Sequence, residues 1–256
     1  MPLHYAQQGT GTPFVLLHAF PLSSAMWTRD AGHFARAARV ITPDLPGFGG
    51  SSRQPQPSIP AMAQAVANLL DALEIHEPVI LAGLSMGGYV ALEVMRQFPQ
   101  RVKGLGLFST KAAADSPQQR EGRMKLAEQL KANGLEPLVN SSLPKLIGRT
   151  STASRPAVVS QVERLMRTAS PDGVIDALYA MAERRDSQSL LSGIRCPTLI
   201  IAGDEDTLIP AQESQAMAQA IPGARCEIIP QAGHLVNIEQ PEAFQRFVTS
   251  WITDNA

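Results

Sequence analysis

Ser85 sits in Gly83-Leu84-Ser85-Met86-Gly87, between the apolar run Val79-Ile80-Leu81-Ala82 and a stretch of helical spacing that reaches Phe98. A serine placed between a buried strand and a helix must turn sharply. Glycines two residues before and two after remove the Cβ clashes of such a turn. The hydroxyl then stands clear of the backbone, and the following helix aims its N–H groups and positive dipole end at the same spot. The Met86 N–H becomes a natural donor to an oxyanion. A serine at its free pKa is inert and needs a base. Five histidines are available: His4, His18, His33, His76 and His234. His234 lies in Gly233-His234-Leu235, after the last strand-like run and before the last helix. That loop falls at the carboxyl edge of a parallel sheet, the edge that carries Ser85 and forms ligand sites in open α/β sheets. His33 and His76 occupy helix or helix-end contexts, where solvation is expected, and His4 belongs to an edge strand.

A base of this kind needs an acid to orient its ring. Ile200-Ile201-Ala202-Gly203-Asp204-Glu205-Asp206 presents three acids after a strand, with Pro210 beyond. Asp206 is the expected partner, and Asp204 remains the alternative because it could equally cap a turn. The chain order Ser85, Asp206, His234 differs from the orders of the two main serine protease types. A second oxyanion donor is expected from the loop His18-Ala19-Phe20-Pro21, at the Phe20 N–H, with His18 holding the loop rather than reacting. Asp44-Leu45-Pro46-Gly47-Phe48-Gly49-Gly50-Ser51 reads as a turn-forming loop that braces the site. It lacks the lysine of a P-loop, and its spacing misses the dinucleotide fingerprint.

These residues need a scaffold. Phe14-Val15-Leu16-Leu17, Val40-Ile41-Thr42, Val79 to Ala82, Leu105-Gly106-Leu107-Phe108, Thr198-Leu199-Ile200-Ile201 and Cys226-Glu227-Ile228-Ile229 read as strands. The first four of these runs are separated by helical stretches and are apolar on both faces, which implies a mostly parallel sheet covered on both sides. One such helix spans 58–75, with Ser58 as cap and Pro60 in its first turn. From about Lys111 to Ser192 no strand run appears. Four helix-like stretches, near 116–132, 135–147, 155–168 and 171–185, are broken at Gly134, Gly148 and Pro171. The expected organisation is an α/β core, 1–110 and 193–256, with a helical cap insertion at 111–192. Long insertions cost little loop-closure entropy and commonly serve as lids.

In these motifs the chain resembles the α/β-hydrolase fold family nearly end to end. His18 to Pro21 resembles that family's oxyanion loop, Asp44 to Ser51 its D-x-x-G-x-G-x-S loop, and Gly83 to Gly87 its nucleophile elbow. Gly203 to Asp206 with Pro210 resembles its acid loop, and Gly233-His234 its histidine loop. One departure is Ala19, where the family's loop more often has glycine. The resemblance is nearest to small bacterial carboxylesterases, enol-lactonases and cofactor-free haloperoxidase-like hydrolases. It implies a Ser85–His234–Asp206 triad with an oxyanion hole at Phe20 and Met86. Related dehalogenases carry aspartate at the elbow, so Ser85 argues against that chemistry.

The 256 residues suffice for one sizeable core, with 44% apolar and 18% charged residues. A net charge of −1 offers no reason to expect nucleic acid or an anionic membrane as partner. The one basic cluster, Arg120, Arg123 and Lys125, falls in a helical pattern and reads as a solvated face. Cys196 and Cys226 are too few for a disulfide framework and read as buried small hydrophobes, close together if their strands are neighbours. The first residues lack a basic region followed by an apolar stretch, and no apolar run approaches membrane-spanning length, so a cytoplasmic location is expected. The acids and histidines form no ligand pattern, so neither metal nor organic cofactor is expected. The expected activity is hydrolysis of small to medium acyl esters. A lactonase or C–C bond hydrolase using the same triad is the alternative, and a non-catalytic ligand-binding module the remote one. An apolar substrate pocket is expected from Phe20, Trp27, Met86, Leu208, Leu235 and Val236 together with cap residues.

Overall fold

The computed structural model describes residues 3–255. Its strands are β1 (Tyr5–Gln8), β2 (Pro13–Leu17), β3 (Arg39–Pro43), β4 (Val79–Leu84), β5 (Val102–Phe108), β6 (Thr198–Gly203) and β7 (Arg225–Ile229). All residues of β2, β4 and β6 are buried, a pattern that a strand can hold only when both faces of its sheet are covered. The strands form one seven-stranded sheet in the order β1-β3-β2-β4-β5-β6-β7. Only β1 is antiparallel, pairing Tyr5 with Pro43 and Gln8 with Val40. It is an edge strand and exposed throughout; His4 lies just before it.

Helices α1 (Thr28–Phe34), α2 (Ile59–Ala72) and α3 (Met86–Gln97) connect the first half of the sheet. The Ser58 side chain accepts from Ala61 N–H at 3.2 Å, so α2 starts at the expected cap. Between β5 and β6 run α4 (Pro117–Asn133), α5 (Glu136–Leu146), α6 (Arg149–Ser154), α7 (Pro156–Arg167), α8 (Pro171–Ala182) and α9 (Gln188–Leu191). Gly134 ends α4 at φ 65°, Gly148 caps α6 and Pro171 opens α8, so the expected breaks are real. The stretch expected as one helix over 155–168 is preceded by a separate short one, α6, because Pro156 forces a new start. Then follow α10 (Ala211–Ala220), α11 (Val236–Glu239) and α12 (Pro241–Asn255). The short helices α1, α9, α10 and α11 carried too little apolar periodicity to be anticipated.

The core includes a cluster of aromatic residues from β2, β5 and the helices packed on them. Phe14, Phe34, Trp27, Phe108 and Phe244 are fully buried and pack ring against ring. Trp27, expected at the substrate pocket, belongs here: it stacks on Phe244 at 6.0 Å. The cysteines also differ from expectation. Both are half-buried, and Cys226 lies across from Ile200, leaving Cys196 outside the β6 pairing. Among the described residues no helix is long and apolar enough to cross a membrane.

Candidate active site

Ser85 joins β4 to α3 with φ 56° and ψ −113°, a left-handed conformation that costs a side chain of order 1–3 kcal/mol. Two close approaches hold it there. A Cβ on Gly83 would overlap the Gly87 carbonyl, and a Cβ on Gly87 would overlap the Leu17 carbonyl of β2. The turn is also tied to β5: Ser85 N–H donates to Phe108 O at 2.9 Å, and Thr110 Oγ1 donates to Ser85 O at 2.9 Å. The strain is therefore fixed from three sides, and it turns Ser85 into a cavity of about 460 Å³.

His234 lines the same cavity. Its Nδ1 lies 2.7 Å from Asp206 Oδ2, and the two side chains are 2% and 0% exposed. A carboxylate this dry requires full hydrogen bonding. Asp206 Oδ1 accepts the N–H groups of Leu208 at 2.9 Å and Ile209 at 3.0 Å. Asp204 is exposed and does not approach the imidazole. Ser85 Oγ forms no hydrogen bond among the described residues; in empty sites such bonds often tighten only with substrate.

Phe20 lines the cavity, and Met86 follows Ser85 at the start of α3. Neither backbone N–H has a hydrogen-bond partner among the described residues. His18 is buried, accepts Leu45 N–H on Nε2 at 2.9 Å and lies 3.0 Å from Ala19 O through Nδ1. These contacts require a neutral ring protonated on Nδ1, and burial lowers its pKa to about 4. Asp44 braces the neighbouring loop by accepting from Ser24 N–H at 2.8 Å and Gly50 N–H at 2.9 Å.

The long segment between β5 and β6 is pinned to these loops by two acids. Glu239 accepts Gly148 N–H at 2.8 Å and Gly233 N–H at 2.9 Å, so it ties α6 to the residue before His234. Glu205 accepts Thr150 N–H at 2.8 Å, tying the same helix to the loop that carries Asp206. Arg53 pairs with Asp172 and Asp176 of α8.

The cavity wall corrects part of the expected pocket. Leu208 lines it, but Met86, Leu235 and Val236 are fully buried in the core and are not part of its wall. Apolar lining comes instead from Leu126, Leu146, Leu178 and Met181. The basic cluster on α4 is not simply a solvated face. Arg123 pairs with buried Asp115, and Arg123 and Lys125 both line the cavity. The signal lay in Gln119, Gly122, Arg123, Leu126 and Gln129, which share one face of α4 by helical spacing and border the cleft. Lys111 and Lys145, also in the wall, carried no such pattern. Among the described residues no group of three or more His, Cys, Asp or Glu is placed to hold a metal ion.

A strained turn between strand and helix at the edge of a mostly parallel sheet, opening on a cavity that His234 also borders, defines a class of scaffold, and comparison with known proteins agrees on the fold. A family model described as the alpha/beta hydrolase fold matches residues 12–241, and the chain belongs to that family. The solved structure of a thermophilic esterase from Thermogutta terrifontis, with malate bound, is 38% identical with a TM-score of 0.96, covering 98% of this chain and 93% of that one. 3-Oxoadipate enol-lactonase 2 from Acinetobacter baylyi is 27% identical over 96% of this chain and 91% of its own length. The dihydrolipoyllysine-residue acetyltransferase component of an acetoin cleaving system from Pseudomonas putida is 31% identical over 91% of this chain, which spans 61% of that protein.

Proposed function

We propose that the protein is a carboxylic ester hydrolase working through an acyl-enzyme on Ser85. The observation that carries this reading is the dry His234–Asp206 pair, at 2.7 Å, bordering the cavity into which the strained Ser85 turn opens. Ser85 Oγ attacks the acyl carbon while His234 Nε2 takes its proton. Asp206 keeps the proton of Nδ1 in place and balances the imidazolium. The oxyanion is held by the unpartnered N–H groups of Phe20 and Met86. His234 then returns the proton to the leaving oxygen, and water, activated by the same imidazole, releases the acid. None of these steps calls on a metal or an organic cofactor.

The segment 111–192 acts as a cap whose inner face supplies Leu126, Leu146, Leu178 and Met181 to the pocket. A cavity of about 460 Å³ is at the small end for ligand sites, which favours small to medium substrates. A lactone is a cyclic ester, and the likeness to an enol-lactonase makes lactones the second substrate class to try. Labelling with a fluorophosphonate, together with initial rates on a panel of p-nitrophenyl esters and lactones, tests the reading. Wild type should label and turn over esters, and Ser85→Ala should do neither. Labelling that persists in Ser85→Ala would overturn the assignment of the nucleophile.

A further inference from the structure

The charged groups around the cavity do not balance. Its lining holds Lys111, Arg123, Lys125 and Lys145 but, among the described residues, a single carboxylate, Asp115. That carboxylate is fully engaged. Arg184 Nη1 reaches Asp115 Oδ1 at 2.6 Å and Arg123 Nε holds Oδ2. Arg184 is itself buried and lies over the ring of Tyr89, 4.1 Å from its centroid, just behind the cavity wall. One acid thus serves two guanidinium groups, and among the described residues no carboxylate is left to make a contact ion pair with Lys111.

Lys111 shares the cavity wall with the reactive serine. It follows Thr110, whose hydroxyl holds Ser85 O, at the carboxyl end of β5 beside β4. The residue is only 8% exposed, and its Nζ donates to Gln119 Oε1 at 2.9 Å. Among the described residues no carboxylate lies within ion-pair distance of it; Asp115 and Glu213 act on it only through their fields. Burial, and the Arg184 charge behind it, push the ammonium below its ordinary range. A buried ammonium with one neutral acceptor is costly, and an anion beside it offsets that cost. Arg123 offers a second donor, since its Nη1 makes no hydrogen bond among the described residues. Lys125 and Lys145 are exposed in the same wall, where they raise the local concentration of anions.

We propose that the substrate carries a carboxylate remote from its scissile acyl carbon, received by Lys111 and the Nη1 edge of Arg123, with Lys125 and Lys145 steering it in. This rests on the ester-hydrolase reading and names the class of ester. The apolar wall of Leu126, Leu178 and Met181 holds the carbon chain between the two ends.

Two measurements separate this inference from the reading beneath it. The first compares kcat/KM for the p-nitrophenyl monoester of glutaric acid with that for neutral p-nitrophenyl hexanoate. Wild type should favour the charged ester, and Lys111→Met should lower the charged-to-neutral ratio by about 10- to 100-fold, the loss of one charge-assisted hydrogen bond. Lys111→Arg should keep most of the ratio. Lys125→Ala with Lys145→Ala, both exposed and safe for folding, should lower it by about 2- to 5-fold at low salt and less at high salt. The second measures binding of glutarate to Ser85→Ala by calorimetry, with and without Lys111→Met. A wild-type ratio near one, or a ratio untouched by Lys111→Met and by the double lysine variant, overturns the carboxylate site. Lys111-dependent binding of glutarate without turnover of either ester would keep the site and overturn the hydrolase reading.

Discussion

Replacing Asp206 with asparagine changes one oxygen to a nitrogen, and the surrounding donors determine which one. Oδ1 of Asp206 accepts two backbone N–H groups, from Leu208 and Ile209. In Asp206→Asn the carbonyl oxygen must stay at that position, because the amide nitrogen there would face two donors and forfeit both bonds, at about 1 kcal/mol each plus repulsion. The NH₂ group therefore points at His234 Nδ1, where Oδ2 now lies at 2.7 Å. Nδ1 must then accept, which moves the ring proton to Nε2, the nitrogen that has to take the proton of Ser85. The variant should fold and retain KM within a few-fold, yet lose about 10⁴ in kcat, or about 5.4 kcal/mol at about 1.36 kcal/mol per tenfold. Steady-state hydrolysis of a short p-nitrophenyl ester measures this directly. The paired control is Asp204→Asn, exposed and remote from the imidazole, which should stay within about threefold of wild type. If Asp204→Asn is the damaging change and Asp206→Asn is mild, the acid has been misassigned and the tautomer argument fails with it.

Ser85→Ala should lower ester turnover by about 10⁴-fold or more while the circular dichroism spectrum is unchanged; residual rates near wild type would refute the nucleophile. Glu239→Gln places an amide N–H against either Gly148 or Gly233, so urea denaturation should show a loss of about 1–3 kcal/mol, with reduced kcat because the residue before His234 is released. Equal stability of variant and wild type would show that this tie between α6 and the histidine loop carries no energy. Asp30 is buried beside Asn237 and Gln245, and burial raises its pKa from 3.8 to about 6. The folded state holds this proton more tightly than the unfolded chain. Its contribution to stability is full below 3.8 and is lost as pH rises through about 6, by about 3 kcal/mol in all. Unfolding free energies at two pH values, one on each side of the folded pKa, should therefore converge in Asp30→Asn relative to wild type; parallel profiles would refute the linkage.

Much of the scaffold is legible because it rests on short-range regularities. A strand covered on both faces has to be apolar at successive positions, so β2, β4 and β6 announce themselves. The Ser85 turn does so too, since only glycine at 83 and 87 permits the approach of the Gly87 and Leu17 carbonyls. Gly134, Gly148 and Pro171 mark helix ends for equally local reasons. The cavity wall is different. Trp27, Leu235 and Val236 are apolar residues near the motifs, and nothing in their types separates a residue lining a pocket from one packed in the core. Trp27 went to Phe244 because α12 folds back over the sheet, a long-range event.

Residue type and spacing by themselves determined the α/β succession, the turn that presents Ser85, and the loops that carry Asp206 and His234. Each depends on backbone sterics and burial within a dozen residues, and such constraints leave a trace in the local sequence. Only the tertiary structure decided that Asp206, and not Asp204, meets the imidazole, since both lie in one loop and a difference of two residues changes which side faces inward. It alone decided the charge balance of the cavity. Arg123 and Lys125 look like the outer face of an amphipathic helix until α4 is laid against the open end of the sheet. Asp115, Arg184 and Lys111 then come together from segments up to 73 positions apart. Coulomb energy depends on distance in space and on burial, neither of which the order of residues along a chain records.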